Sequence, residues 1–189
     1  MRPPRRENLL TIAGGAGNAE LVELLITHKV NVDCVGDEGT FAILLAAERG
    51  RLNTVQALIK ANADVNKATK EGWTALWMTG QNGHVHVVQA LIEARAAVDQ
   101  TANDGTSALW TAAYRGKAET IRALVEQGHA SVNLSDQSDH SPLFGAAQNE
   151  HLDAGKVLTE KGANVDFPQK DGCTPLHTEC QCGFLEVDK

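Results

Sequence analysis

A short segment that begins with glycine recurs along the chain, and this recurrence constrains the fold more than any other feature. The segment reads GWTAL at 72–76, GTSAL at 105–109 and GCTPL at 172–176, with looser copies GTFAI at 39–43 and DHSPL at 139–143. Successive copies start 33 or 34 residues apart. A fixed period of this length is typical of repeat proteins, in which each unit buries its apolar face against its neighbours.

The copies at 39, 72 and 105 are each followed by a short helical pattern, a glycine and a second, amphipathic pattern. The second pattern reads LNTVQALI at 52–59, VHVVQALI at 85–92 and AETIRALV at 118–125. Apolar residues at i, i+3, i+6 and i+7, such as Leu52, Val55, Leu58 and Ile59, place one apolar face on this helix. A glycine such as Gly50 or Gly83 permits the left-handed backbone that ends the first helix. The sequence therefore predicts stacked pairs of helices.

Three blocks of the repeat resemble successive parts of the ankyrin repeat: GCTPLH at 172–177, GHVHVVQALI at 83–92 and GANVD at 162–166. The resemblance covers roughly residues 7–189. It implies an all-α ankyrin-repeat solenoid of helix-turn-helix units with projecting β-hairpin-like loops. The predicted divisions are a disordered basic leader at 1–6, then units at roughly 7–35, 36–68, 69–101, 102–134 and 135–168, and an incomplete unit at 169–189.

The chain departs from the family pattern at several positions. Trp77 and Trp110 occupy the place of a histidine that ties the loop together in the family, so the resemblance implies less rigid loops in these units. Gly80 replaces a small alanine and lowers helix propensity by about 1 kcal/mol. Glu150 stands where the turn glycine is expected.

Composition excludes several classes of function. The formal net charge of −7 argues against general binding to nucleic acid, which depends on Lys and Arg, and against an anionic membrane surface. No stretch approaches the roughly 18–20 apolar residues of a membrane span. Three of the four cysteines lie near the carboxyl terminus, unlike a secreted disulfide framework. We therefore expect reduced thiols in the cytoplasm, with the nucleus as the alternative.

Two motifs resemble chemical sites only in composition. His84 and His86 are two residues apart on a helix, so they point to different faces and cannot share a metal ion. The run IAGGAGN at 12–18 lacks the Gly-Lys-Ser/Thr ending of a phosphate loop, and we interpret it as the turn between the first two helices.

A third candidate is the cluster of His177, Cys180 and Cys182. His177 and Cys180 share a helical face, and such soft ligands suit zinc. However, Cys180 occupies the slot of small core residues, and no second pair at metal-ligand spacing follows. We therefore predict no metal site, no cofactor and no catalytic constellation.

The aromatic residues are the best candidates for partner binding. We expect Trp73 to project from a loop tip and Tyr114 to be exposed at the end of a first helix. Trp77 and Trp110 share one slot in adjacent units, where they either line a groove or fill the gap between loop and helix. The predicted partner-binding residues are Glu38, Thr40, Arg49, Lys70, Glu71, Trp73, Asn82, Asn103, Asp104, Thr106, Tyr114, Arg115, His140, Asn149, Lys170 and Asp171.

The resemblance implies a non-enzymatic module that binds a partner protein through a concave groove. The acidic but mixed surface favours a partner with basic or mixed segments. Two alternatives stay open: a regulatory or targeting fragment of a larger multidomain protein, which includes enzymes, and a structural subunit of a large assembly. The incomplete unit at 169–189 lacks a cap, so we expect it to fray, and self-association there is allowed.

Overall fold

The computed structural model describes residues 9–36 and 39–166, and within them it contains ten α-helices. The helices are short, as the sequence predicts, because each is ended by a turn before it reaches three full turns. They are α1 (Leu9–Ala16), α2 (Ala19–Thr27), α3 (Ala42–Glu48), α4 (Leu52–Lys60), α5 (Ala75–Asn82), α6 (Val85–Glu93), α7 (Ala108–Tyr114), α8 (Ala118–Glu126), α9 (Pro142–Gln148) and α10 (Leu152–Glu160).

The helices form two layers that run the length of the described chain. The odd-numbered helices pack on one another in an inner layer, and the even-numbered helices pack in an outer layer. The same slots are buried in every unit because each helix pair repeats the contacts of the pair before it. Examples are Leu10, Ile43, Leu76, Leu109 and Leu143 in the inner layer and Val22, Val55, Val88 and Ile121 in the outer layer. The predicted all-α repeat solenoid is confirmed.

A tight loop precedes each inner helix from α3 onward. In the loop before α5, the Thr69 amide donates to the Trp73 carbonyl at 3.0 Å, and the Gly72 amide donates back to the Thr69 carbonyl at 3.0 Å. An antiparallel bridge pairs Ala68 with Thr74. The Thr74 hydroxyl then accepts the Trp77 amide at 3.1 Å and caps α5. The loop is therefore closed by its own backbone and ends in a helix cap.

The turns at Gly17, Gly50, Gly83 and Gly116 are each covered by a residue of the next helix pair. Gly50 has a left-handed φ of 67°, and the ring of His84 lies directly over it. The ring nitrogen Nε2 of His84 contacts the Glu48 carbonyl at 3.0 Å, and His151 repeats this arrangement in a later pair. His84 is thus a structural residue at the start of α6, as the repeat phase predicts. Glu150 keeps the left-handed turn, with a φ of 59°.

Glycines inside the inner helices allow these helices to approach closely. The interpretation of IAGGAGN as a turn is wrong for Gly14 and Gly15, which lie within α1; the turn itself is formed by Gly17. A Cβ atom at Gly14 would lie 2.8 Å from the carbonyl oxygen of Ala42. Gly14 is therefore required by packing against α3.

Gly80 provides a test of this packing constraint. A Cβ atom there would overlap the carbonyl oxygen of Ala108 on α7. We expect Gly80→Ala to lower the free energy of unfolding by about 1–3 kcal/mol, although alanine is the better helix former. Gly145 is the matched control, since a Cβ atom there would meet Tyr114 at an ordinary 3.7 Å. Gly145→Ala should stabilise by about 0.5–1 kcal/mol in urea unfolding; equal effects of the two substitutions would contradict the packing account.

Two threonines in the outer layer place a hydroxyl in the core without a hydrogen-bond partner in the described part of the chain. Thr54 and Thr120 are buried, and no described residue bonds their Oγ1 atoms. Val87 occupies the equivalent slot one unit away and is also buried. We expect Thr54→Val or Thr120→Val to raise the free energy of unfolding by about 1 kcal/mol, because a buried unpaired hydroxyl is costly.

The control for this pair is Thr79, whose buried hydroxyl donates to the Leu76 carbonyl at 2.7 Å. Thr79→Val removes an existing hydrogen bond, so it should lower the stability measured by thermal unfolding. Thr54→Val and Thr120→Val should raise it. Destabilisation by all three substitutions would show that the two hydroxyls are not costly in the fold.

Candidate protein-binding surface

Stacked aromatic rings lie in three consecutive units where the loops meet the inner helices. We call these six residues the aromatic strip. The stacked pairs are Trp73 with Trp77 (ring centroids 5.4 Å apart), Trp110 with Tyr114 (5.2 Å) and His140 with Phe144 (4.7 Å).

The stacking follows from sequence spacing. Trp110 and Tyr114 are four residues apart on α7, and this spacing brings two side chains onto the same helix face. Trp73 and Trp77 are also four apart, with Trp73 in the loop that leads into α5. Their interplanar angle of 20° shows two nearly parallel rings. The strip is therefore formed in the free protein, before any partner binds.

Two indole groups connect the strip to the loop of the next unit. Trp77 Nε1 donates to the Thr106 hydroxyl at 3.0 Å, and Trp110 Nε1 donates to the His140 carbonyl at 2.9 Å. Each tryptophan donates a hydrogen bond to a loop in place of the family histidine, so the loss of that histidine does not remove the side-chain bond to the loop. The lower rigidity of these loops stays a prediction. Both rings fill the gap between a loop and a helix while remaining half-buried.

Thr106 is a buried connecting residue. The residue is only 6% exposed, so the structure does not place it on the surface as a partner contact. Its amide and its hydroxyl both donate to Asp104 Oδ1, at 2.9 and 2.6 Å. The hydroxyl also accepts from Trp77. Thr106 therefore joins an exposed carboxylate to the indole of the preceding unit.

Trp73 and Tyr114 are half-buried, which corrects the expectation that they are exposed. Stacking covers part of each ring. The Arg115 guanidinium lies over the Tyr114 ring at 5.7 Å from its centroid. No described residue accepts a hydrogen bond from Trp73 Nε1, so this indole group can donate to another molecule.

The loop tips form a polar edge beside the strip. Lys70, Glu71, Asn103 and Asp104 are all exposed there. The Asn103 amide donates to the Glu71 carbonyl at 2.9 Å, and its side chain donates to the Lys70 carbonyl at 2.7 Å. Gln137, which the sequence reasoning missed, repeats this by donating to the Asn103 carbonyl at 2.5 Å. It occupies the same repeat slot, so the repeat phase could have identified it.

The remaining predicted residues lie at the other end of the inner helices or elsewhere. Arg49, Asn82, Arg115 and Asn149 lie at the carboxyl ends of α3, α5, α7 and α9, where Arg49 donates to the α1 carbonyl of Gly15 at 3.1 Å. This end is separated from the loop edge by the strip.

Thr40 is half-buried in the first described loop. Glu38, Lys170 and Asp171 lie outside the described residues.

Among the described residues, two ionisable groups have a shifted pKa, and neither belongs to the aromatic strip. Burial raises the pKa of the Cys34 thiol above its ordinary value. The hydrogen bond from Lys161, whose Nζ lies 2.6 Å from Oε1 of Glu126, lowers the pKa of the Glu126 carboxyl. That ion pair joins the loop after α10 to the end of α8, so it links two units.

Within residues 9–36 and 39–166, no three His, Cys, Asp or Glu side chains are grouped so that they could hold a metal ion. The cluster of His177, Cys180 and Cys182 lies outside the part of the chain that the structure describes. Among the described helices, none has both the length and the apolar character needed to cross a membrane.

The structure is that of a helical repeat protein, because it consists of repeated helix pairs with capped loops. Its aromatic strip lies on the layer of inner helices. The chain matches the family of ankyrin repeats (3 copies) over residues 3–69, 43–136 and 78–169. It belongs to the ankyrin repeat family, whose members are generally protein-interaction modules and are typically non-catalytic. It is also 33% identical over 57 residues to ankyrin repeat-containing protein P1E11.10 of Schizosaccharomyces pombe, a stretch that covers 30% of this chain and 26% of that protein.

The contribution of the Trp77 indole hydrogen bond to stability can be measured by comparing substitutions at Trp77 and at its stacking partner, Trp73. We expect Trp77→Phe to lower the free energy of unfolding by about 1–2 kcal/mol, because the buried Thr106 hydroxyl loses a donor. Trp73→Phe is the matched control, since it keeps a ring and removes no hydrogen bond between the indole and a described residue. Urea unfolding of both variants measures the difference, and equal losses would show that the indole bond does not hold the loop.

Proposed function

We propose that this protein is a non-enzymatic interaction module that binds a partner protein stoichiometrically through a concave inner face. The aromatic strip is the observation that supports this proposal. It places half-buried rings of three successive units along the junction of loops and inner helices.

The strip has the properties of a binding hot spot. Tryptophan and tyrosine bury large areas at low cost in side-chain entropy, and they are enriched among the residues that dominate binding energy. Here stacking and the two indole hydrogen bonds already restrict the rings. Little further ordering is then needed when a partner binds, which favours affinity.

Polar edges on both sides of the strip supply specificity in this proposal. The loop edge presents Lys70, Glu71, Asn103 and Asp104, and the helix edge presents residues such as Arg115. Glu38, Lys170 and Asp171 occupy the same repeat slots in the sequence as residues of the loop edge, and we keep them in the proposed set of partner contacts. The cytoplasm is the proposed compartment.

The test uses peptides selected from a random displayed library on the wild-type protein. A double variant, Trp73→Ala with Tyr114→Ala, should bind the selected peptides roughly tenfold or more weakly while its circular dichroism stays unchanged. The control variant, Gln56→Ala with Lys60→Ala, changes exposed residues of the outer helix α4 and should bind like wild type.

Unchanged binding by the strip variant would move the interface to another surface. A loss of helical signal in that variant would show that the rings belong to the core and not to a binding surface.

A further inference from the structure

The Trp73–Trp77 stack offers ring surface more than hydrogen-bonding groups. The indole N–H of Trp77 is already used by Thr106, so the part of this ring that remains exposed carries no free donor. Aromatic faces attract cations because their π-electrons make them electrostatically negative, and tryptophan is the strongest of them. The stack is therefore suited to a positively charged group.

The carboxylate of Asp104 strengthens the preference of this stack for a cation. Trp77 Nε1 donates to Thr106 Oγ1, and the same hydroxyl donates to Asp104 Oδ1 at 2.6 Å. The exposed charge of Asp104 thus lies two hydrogen bonds from the indole. Chains of hydrogen bonds polarise one another, so the carboxylate increases the negative character of the ring. The same charge attracts a cation that approaches the stack.

Glu71 adds a second negative charge at the loop edge. It is exposed two residues before Trp73, and no described residue forms a hydrogen bond or an ion pair with its side chain. Its neighbour Lys70 is also exposed and forms no ion pair with it. The Glu71 carboxylate is therefore available to a charged group of another molecule.

The next stack along the strip already has a cation of its own. The Arg115 guanidinium lies over the Tyr114 ring, whereas no described Lys or Arg lies over Trp73 or Trp77. A second cation at the Trp110–Tyr114 stack would be repelled by Arg115. A cationic group of a partner is directed to the Trp73–Trp77 stack for this reason.

We propose that the Trp73–Trp77 stack, flanked by Glu71 and Asp104, binds an arginine side chain in an extended basic segment of the partner. The planar guanidinium matches the flat rings and can bond a carboxylate at its edge. The free N–H of Trp73 can donate to a carbonyl of the same segment. This inference rests on the proposed function and specifies the chemistry of its ligand.

The probe is a fluorescent nine-residue peptide of three Arg-Gly-Ser repeats, compared with a twin in which citrulline replaces each arginine. Citrulline keeps the planar shape and removes the charge. Fluorescence polarisation with the full chain should show tighter binding of the arginine peptide by about fivefold to thirtyfold. Trp73→Ala should remove this difference.

Charge variants separate a local site from general attraction to an acidic protein. Glu71→Gln removes no bond that the side chain makes to a described residue, and Asp104→Asn keeps an oxygen that can accept from Thr106. Each should weaken arginine-peptide binding several-fold. Glu93→Gln, an exposed carboxylate on the outer helix α6, makes the same charge change and should have little effect.

Three results would overturn the inference. If both peptides bind equally and Trp73→Ala weakens both, the strip binds peptides without selecting a cation, and the proposed function stands. If Glu93→Gln weakens binding as much as Glu71→Gln, the peptide is attracted by the overall negative charge of the protein, and there is no specific arginine-binding site. If neither peptide binds, the ligand chemistry is wrong, and the library peptides decide the proposed function separately.

Discussion

The close approach of neighbouring inner helices is the contact on which the rest of the structure depends. Helices of seven to nine residues are too short to be stable alone, so each is ordered by the helices stacked on it. Glycine at positions 14 and 80 removes the side chain that would hold α1 from α3 and α5 from α7. The same spacing lets His84 reach back to the carboxyl end of α3. Backbone approach and hydrogen bonds between units therefore support one another.

The aromatic strip depends on this spacing too. Trp77 and Trp110 each belong to one unit and donate a hydrogen bond to the loop of the next, so the strip exists only when the units are stacked in register. Stability and binding are thereby coupled at these residues. Trp73 is different, because it adds a ring to the surface and forms no indole bond within the described chain. A substitution at Trp73 can therefore change binding with less effect on folding than a substitution at Trp77 or Trp110.

Much of the fold could be predicted from the sequence because a period of 33 or 34 residues fixes the phase of every helix and turn. Two kinds of detail could not. Trp77 stands where the family has a histidine, so the sequence indicated that a hydrogen bond was lost there. Residue type alone does not show that the indole N–H of Trp77 reaches the next unit. Thr106 follows a turn glycine, as the partly exposed Trp73 does, yet it is buried and accepts a hydrogen bond from Trp77. Such contacts depend on distances between units, which no single repeat encodes.

The central claim is that the strip is a preformed surface held by indole bonds between units. Hydrogen exchange of the three indole N–H groups, followed by NMR on nitrogen-labelled protein, tests it most directly. Trp77 and Trp110 should exchange slowly, because their N–H groups donate to Thr106 and to the His140 carbonyl, while Trp73 should exchange at the rate of an exposed indole. Fast exchange of all three groups would contradict the claim.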